Sequence, residues 1–188
     1  MTKWVLEHPY FSNVSKYHRT LFSQGSSVPS PYWGGNLAIL SEAGLKTRIV
    51  FIANPWIQGI LRPPMVLLQR QILMLSTDCT FDQDHGRRFM KEKLSLGIRL
   101  HSVDLSSATD NFPFFLQRFV GEMLGIPKYV LDLIEFIGFN SPLDKSDRTL
   151  YTYGKGQPMG TYPSFVLFAL THNILLHSLA RELKLDPI

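Results

Sequence analysis

Strict alternation and helical spacing divide the chain into short strands and longer helices. The run "GLKTRIVFIANP", residues 44–55, is rich in β-branched residues; Lys46 and Arg48 open it and Pro55 closes it, so it predicts a strand. Helical spacing follows in "WIQGILRPPMVLLQRQILML", residues 56–75, where Pro63 and Pro64 are expected to break or kink the helix. "STDCTFDQDHGRR" reads as a polar connection, and "KEKLSLGIRL" leads into a predicted strand, "HSVDL", at 101–105. Downstream, Asp110 or Asn111 is placed to cap a helix with Pro113 in its first turn and Phe114, Phe115, Phe119, Val120 and Met123 as apolar positions. A further helix starts near Pro127, and "SPLDKSDRTLYTY" reads as a turn and a short strand. The glycine-rich "GKGQPMG" then opens into a long apolar helix over 163–180. Mixed strands and helices in this order predict an α+β layer structure.

Composition narrows this only a little. The chain has 188 residues, 45% of them hydrophobic and 18% charged, which suits one domain with a real core and argues against disorder. The sequence shows no internal repeat, and "FSQGSSVPSPYWGG", residues 22–35, reads as a loop. A net charge of +4 is mild support for an anionic partner such as nucleic acid or nucleotide. The single cysteine, Cys79, excludes a disulfide framework and points to a reducing compartment. No secretory signal is expected from "MTKWVLEHPYF". His172, Asn173 and His177 interrupt the apolar stretch 163–180, which favours a core helix over a membrane span.

Three features carry candidate chemistry, and each has a plain structural counterpart. Lys46 and Arg48, two residues apart, share a strand face; that face is either simply charged or grips a triphosphate. Asp104 is either a solvated strand-end acid or a hard oxygen ligand of the kind Mg²⁺ takes. Asp110 competes between helix capping and a role beside Asp104. Gly154, Gly156 and Gly160 permit close backbone approach to a ligand, or form an adaptable connection. The loop is not a P-loop, since no Gly-Lys-Ser/Thr follows. Cys79, Asp82 and His85 lack the paired spacing of a zinc site, and His172 and His177, five apart, read as core or rim residues.

Taken in order, four stretches resemble a known family. "DLSSATDNFP" resembles motif A, and "GQPMGTYPSFVLFALTH" motif B, of the RNA-directed RNA polymerases of mitoviruses, narnaviruses and ourmia-like viruses. "GLKTRIVFIANPW" is similar to their motif F, and "STDCTFDQ" to the segment that commonly reads TDGTFDQ. The resemblance covers roughly residues 41–177. It implies a partial right-hand polymerase palm, an antiparallel sheet backed by helices, with part of the fingers. Residues 1–188 would form one partial domain, with a fingers-like segment at 1–40 and the motif F to motif B region at 41–188.

The resemblance also implies roles. Asp104 would hold catalytic Mg²⁺ (or Mn²⁺) during two-metal nucleotidyl transfer, and Asp110 would sit by the ribose and help recognise its 2′-hydroxyl. Lys46 and Arg48 would neutralise the triphosphate, Gly160 would let the motif B loop flex, and Ser164 would place a hydroxyl near nucleotide or template. The partners would be an RNA template and ribonucleoside triphosphates. The mitovirus likeness implies a mitochondrial location, a narnavirus-like one the cytoplasm.

Departures from the pattern shape the expectation. Pro163 replaces the usual first Ser of motif B, Phe165 replaces Trp, and Phe168 stands where many RNA polymerases carry an Asn holding the second motif A aspartate. Asp110 would therefore need another partner. The 188 residues contain no Gly-Asp-Asp, the motif C hairpin; Glu182 and Asp186 are the acids that follow the last helical stretch, and Pro187 spoils a strand there. The expectation is a polymerase fragment inactive alone, or one half of a divided enzyme with motif C on a second chain. The alternative is a non-catalytic RNA-binding remnant of an endogenised viral polymerase.

Overall fold

A computed structural model describes residues 34–43, 46–140, 143–144 and 153–185. All belong to one compact unit, Gly34–Ile188. The N-terminal loop and most of the segment predicted as a turn and short strand at 141–153 lie outside the described residues.

The β-branched run folds as expected. Strand β1 (Gly35–Glu42) pairs antiparallel with β2 (Lys46–Ala53), in a register running from Gly35 opposite Ala53 to Glu42 opposite Lys46. A two-residue strand, β3 (Leu143–Asp144), adds parallel to the other edge of β1. Phe51 and Ala53 are buried, whereas Ile39, Leu40 and Ile49 are exposed, so the hairpin meets the core only at its Gly35–Ala53 end.

Asn54 then caps helix α1 (Pro55–Leu73), its side chain accepting from the Trp56 N–H at 2.9 Å, with Pro55 in the first turn. Ile57, Leu61, Pro64, Leu68 and Ile72 form the buried stripe. Contrary to expectation, Pro63 and Pro64 do not break the helix. Pro64 is itself part of the stripe, and its burial helps offset the two hydrogen bonds the prolines forfeit.

The polar connection is a second departure, because Gln83–Ser95 forms helix α2. Asp82 caps it, accepting from the His85 N–H at 3.0 Å. None of its residues is buried. The predicted strand at 101–105 is absent: those residues make no ladder, and Val103 and Leu105 are exposed. A strand exists only through pairing, and no neighbouring strand lies beside this stretch among the described residues.

Beyond it come the single turn α3 (Ala108–Asn111), α4 (Phe114–Met123), α5 (Lys128–Asn140) and α6 (Tyr162–Glu182). In α4 the buried positions are Phe114, Gln117, Val120 and Gly121, while Phe115, Phe119 and Met123 face solvent. Three of the five predicted core positions are therefore exposed. Arg118 ties α4 to α5, reaching Asp132 at 2.6 Å and Glu135 at 2.7 Å. Helix α6 packs on α1 and α4 and buries Pro163, Ser164 and 166–171. By length and composition it is the one helix among the described residues able to cross a membrane, yet its first half is core. The core joins Leu61 and Leu68 of α1, Leu131 and Ile134 of α5, and Leu167 of α6.

Candidate functional site

The glycine loop and the aspartate turn, far apart in sequence, are zipped together by backbone. Gly156 N–H donates to the Asp110 carbonyl at 3.0 Å and Gln157 N–H to the Thr109 carbonyl at 2.9 Å. Phe114 N–H donates to the Lys155 carbonyl at 2.7 Å. A Cβ on Gly156 would overlap the Thr109 and Asp110 carbonyls, so only glycine permits this approach. The loop then reaches β2, where Phe51 N–H donates to the Met159 carbonyl at 2.7 Å. Gly160 follows with φ +113°, and any Cβ there would strike the Phe51 carbonyl.

These contacts build a cleft of about 790 Å³. Arg48 and Glu42 come from the hairpin, Asp104 and 105–109 from the aspartate turn, and Gly160, Ser164 and Phe168 from the loop and α6. Four predicted site residues, Arg48, Asp104, Gly160 and Ser164, thus share one wall-to-wall space. Ser164 is almost wholly covered at its floor. Arg48 Nε lies 3.2 Å from Glu42 Oε1, a surface pair worth at most about 1 kcal/mol. Lys46 opens β2 opposite Glu42; its side chain lies outside the described atoms. Ser107, between Asp104 and α3, holds a left-handed conformation (φ 48°, ψ 50°).

Asp110 is placed differently. It neither lines the cleft nor caps a helix, but lies inside α3, one residue behind Thr109. Its Oδ1 is buried without a hydrogen-bond partner. Burial pushes its pKa above the ordinary aspartate value. Burial and the Asp110 charge together push Tyr153 up to about 12. No hydrogen bond from Phe168 replaces the missing Asn beside Asp110. Phe168 instead meets Phe112 edge-on at 5.2 Å and stacks on His172 at 5.7 Å.

Among the described residues, no three acidic, histidine or cysteine side chains converge on a metal position. Asp104 is exposed and makes no ion pair among them, while Glu42 faces Arg48 in a weak, exposed pair. Mg²⁺ is commonly held by one or two carboxylates together with substrate phosphates and water. Asp104 fits as one such ligand; a two-metal site needs a further carboxylate.

Three glutamines that sequence reasoning missed hold the site in shape. Gln58 of α1 donates from Nε2 to the Gly160 carbonyl (2.7 Å) and accepts at Oε1 from the Tyr162 N–H (3.0 Å). It caps α6 from another helix, since Thr161 makes no side-chain cap. Gln157 donates to Gln117 Oε1 and, at 3.1 Å, to the Ser164 carbonyl, while Gln117 donates to the Phe112 carbonyl at 3.1 Å. Gln157 belongs to the motif B stretch, so it was within reach of motif reading; Gln58 and Gln117 carried no local signal.

Comparison with known proteins gives these motifs a family. The family model described as mitovirus RNA-dependent RNA polymerase matches residues 1–187. The RNA-directed RNA polymerase of Cryphonectria parasitica mitovirus 1 (strain American chestnut tree/New Jersey/NB631) is 30% identical over 166 residues. That alignment covers 82% of this chain and 18% of the relative, so the chain spans less than a fifth of that protein's length. No solved structure gives a significant match. The second chain expected to supply a further carboxylate finds no support here. Motifs F, A and B in one order, all three lining a single cleft, together with a match over nearly the whole chain, show that it belongs to the mitovirus RNA-dependent RNA polymerase family.

Proposed function

We propose that this chain is the part of an RNA-directed RNA polymerase that receives the incoming nucleotide, corresponding to palm with part of the fingers. The observation that carries the reading is the cleft itself, which gathers Arg48, Asp104, Gly160 and Ser164 from three distant segments. Asp104 supplies one carboxylate to Mg²⁺ or Mn²⁺, which when bound would activate the attacking hydroxyl and stabilise the leaving pyrophosphate. Arg48 and Lys46 meet the triphosphate charge. Ser164 and the Gly160 wall shape the nucleotide and template side. Asp110 lies behind that wall, so ribose recognition by it requires the Met159–Gly160 backbone to move. Its unpartnered Oδ1 is an acceptor that a ribose hydroxyl would satisfy. Residues 1–188 act as one partial domain, and transfer needs a second carboxylate beside Asp104.

The test is Mn²⁺ binding with and without a ribonucleoside triphosphate, followed by water-proton relaxation. The wild-type chain binds Mn²⁺ tightly only when the triphosphate is present. Asp104→Asn lowers that affinity at least tenfold, and Arg48→Gln weakens the triphosphate rather than the metal. Equal Mn²⁺ affinity in wild type and Asp104→Asn would reject the metal role. RNA binding without triphosphate-dependent metal binding would favour the non-catalytic remnant.

A further inference from the structure

We propose that the cationic surface of α2 and of the turn that follows it is a separate binding surface for the phosphate backbone of single-stranded RNA, lying outside the cleft. A helix of this length is marginal in water unless something packs on it, yet α2 buries none of its 13 residues. Among the described residues it is anchored at its start. The His85 ring lies 2.9 Å from the Ser76 carbonyl oxygen, and Cys79 packs against Gly86. The remaining turns present their side chains to solvent.

Charge indicates what those turns meet. Residues 85–99 hold Arg87, Arg88, Lys91, Lys93 and Arg99 against the single acid Glu92, a net +4. That equals the net charge of the entire chain, so the rest is balanced. Asp84 pairs with Arg87 at 2.9 Å and Asp82 with Arg88 at 3.1 Å. Both pairs are exposed, hence weak, and each guanidinium keeps further donors. Lys91 and Arg99 make no ion pair among the described residues, and Lys93 lies over the Phe89 ring at 5.1 Å. Arg87, Arg88 and Lys91 share one helix face by their spacing of three and four. Phe89, with Lys93 over it, lies on the other side of the helix, and Phe81 precedes the helix; both rings are exposed, so cations and aromatic faces of the kind that hold single strands without reading sequence surround it. Repeated charge on a flexible strand matches this row better than an isolated acidic group does.

The experiment is fluorescence anisotropy of a short labelled oligouridine with the chain in EDTA, between about 50 and 200 mM KCl. Lys91→Gln, Lys93→Gln and Arg99→Gln are combined, since none of the three forms an ion pair among the described residues. The wild-type chain binds with a steep salt dependence. The triple variant, with unchanged circular dichroism, loses about two from the log–log slope, at ~0.7 per released phosphate contact on a single strand. It binds at least about tenfold more weakly at low salt. Arg181→Gln with Lys184→Gln, on the far end of α6, leaves the slope as in wild type. Equal loss in this control, no wild-type binding, or loss of self-association with RNA affinity intact would each overturn the proposal. Because EDTA removes metal, failure here leaves the cleft reading standing, and failure of Mn²⁺ binding leaves this one.

Discussion

Gly156→Ala and Gly154→Ala differ by two positions and should differ by several kcal/mol. At Gly156 the added methyl would collide with the Thr109 and Asp110 carbonyl oxygens, which are backbone and cannot swing aside. Relief requires the loop to lift, and lifting stretches three hydrogen bonds: Gly156 N–H to Asp110, Gln157 N–H to Thr109, and Phe114 N–H to Lys155. At about 1 kcal/mol each, losing two or three costs about 2–3 kcal/mol. For a chain of this size that is a fall in Tm of about 4–12 °C, at about 2–4 °C per kcal/mol. At Gly154 a methyl would meet nothing within 4 Å, and the backbone has no left-handed φ. Alanine there is neutral, or stabilising by up to about 1 kcal/mol through the unfolded state. Urea unfolding of the three proteins, followed by circular dichroism, reads both differences. Gly156→Ala within about 0.5 kcal/mol of wild type would show that the loop does not dock on the aspartate turn as described.

Gln58→Ala removes a donor and an acceptor from the cleft wall and should cost about 1–2 kcal/mol in the same assay; Gln58→Glu, which still accepts from Tyr162, should recover part of it. Asp110→Asn should stabilise the chain near neutral pH. Burial raises the folded pKa of Asp110, so its ionised form opposes folding above that pKa, and the gain should vanish as pH falls toward about 4; a gain constant across that range would refute the assignment. Asp132 behaves oppositely. Despite burial, its hydrogen bonds to Arg118 and Lys128 lower its pKa, so its contribution is present above about pH 4 and lost below it. Arg118→Met should flatten that acid limb, and an unchanged profile would count against the network.

Much of the fold was readable because local chemistry agreed with it. Asn54 and Pro55 end a β-branched run and start a helix in one step, and the glycine loop does open into an apolar helix. Helix α2 was missed because it buries nothing, and a helix without a core face leaves no apolar stripe to detect. The 101–105 strand was misread for the opposite reason: its pattern is apolar, but pairing needs a neighbour that composition cannot supply. In α4, Gln117 is buried and Phe115 exposed, since the buried amide closes a hydrogen-bonded chain through Gln157 to Ser164. At the site, the motifs brought out Arg48, Asp104, Gly160 and Ser164 together. They did not reveal that Asp110 lies behind the wall, nor Gln58, whose partners are more than a hundred residues away.

The central claim is that metal and triphosphate meet between Asp104 and Gly160. Paramagnetic broadening by Mn²⁺ with a ribonucleoside triphosphate, read on the backbone amide resonances of the chain, locates the ion directly. The account predicts that 104–109 and 160–164 broaden first, and that Asp104→Asn removes the effect. Broadening first around Asp82 and Asp84, or around Asp132 and Glu135, with 104–109 untouched, would contradict it.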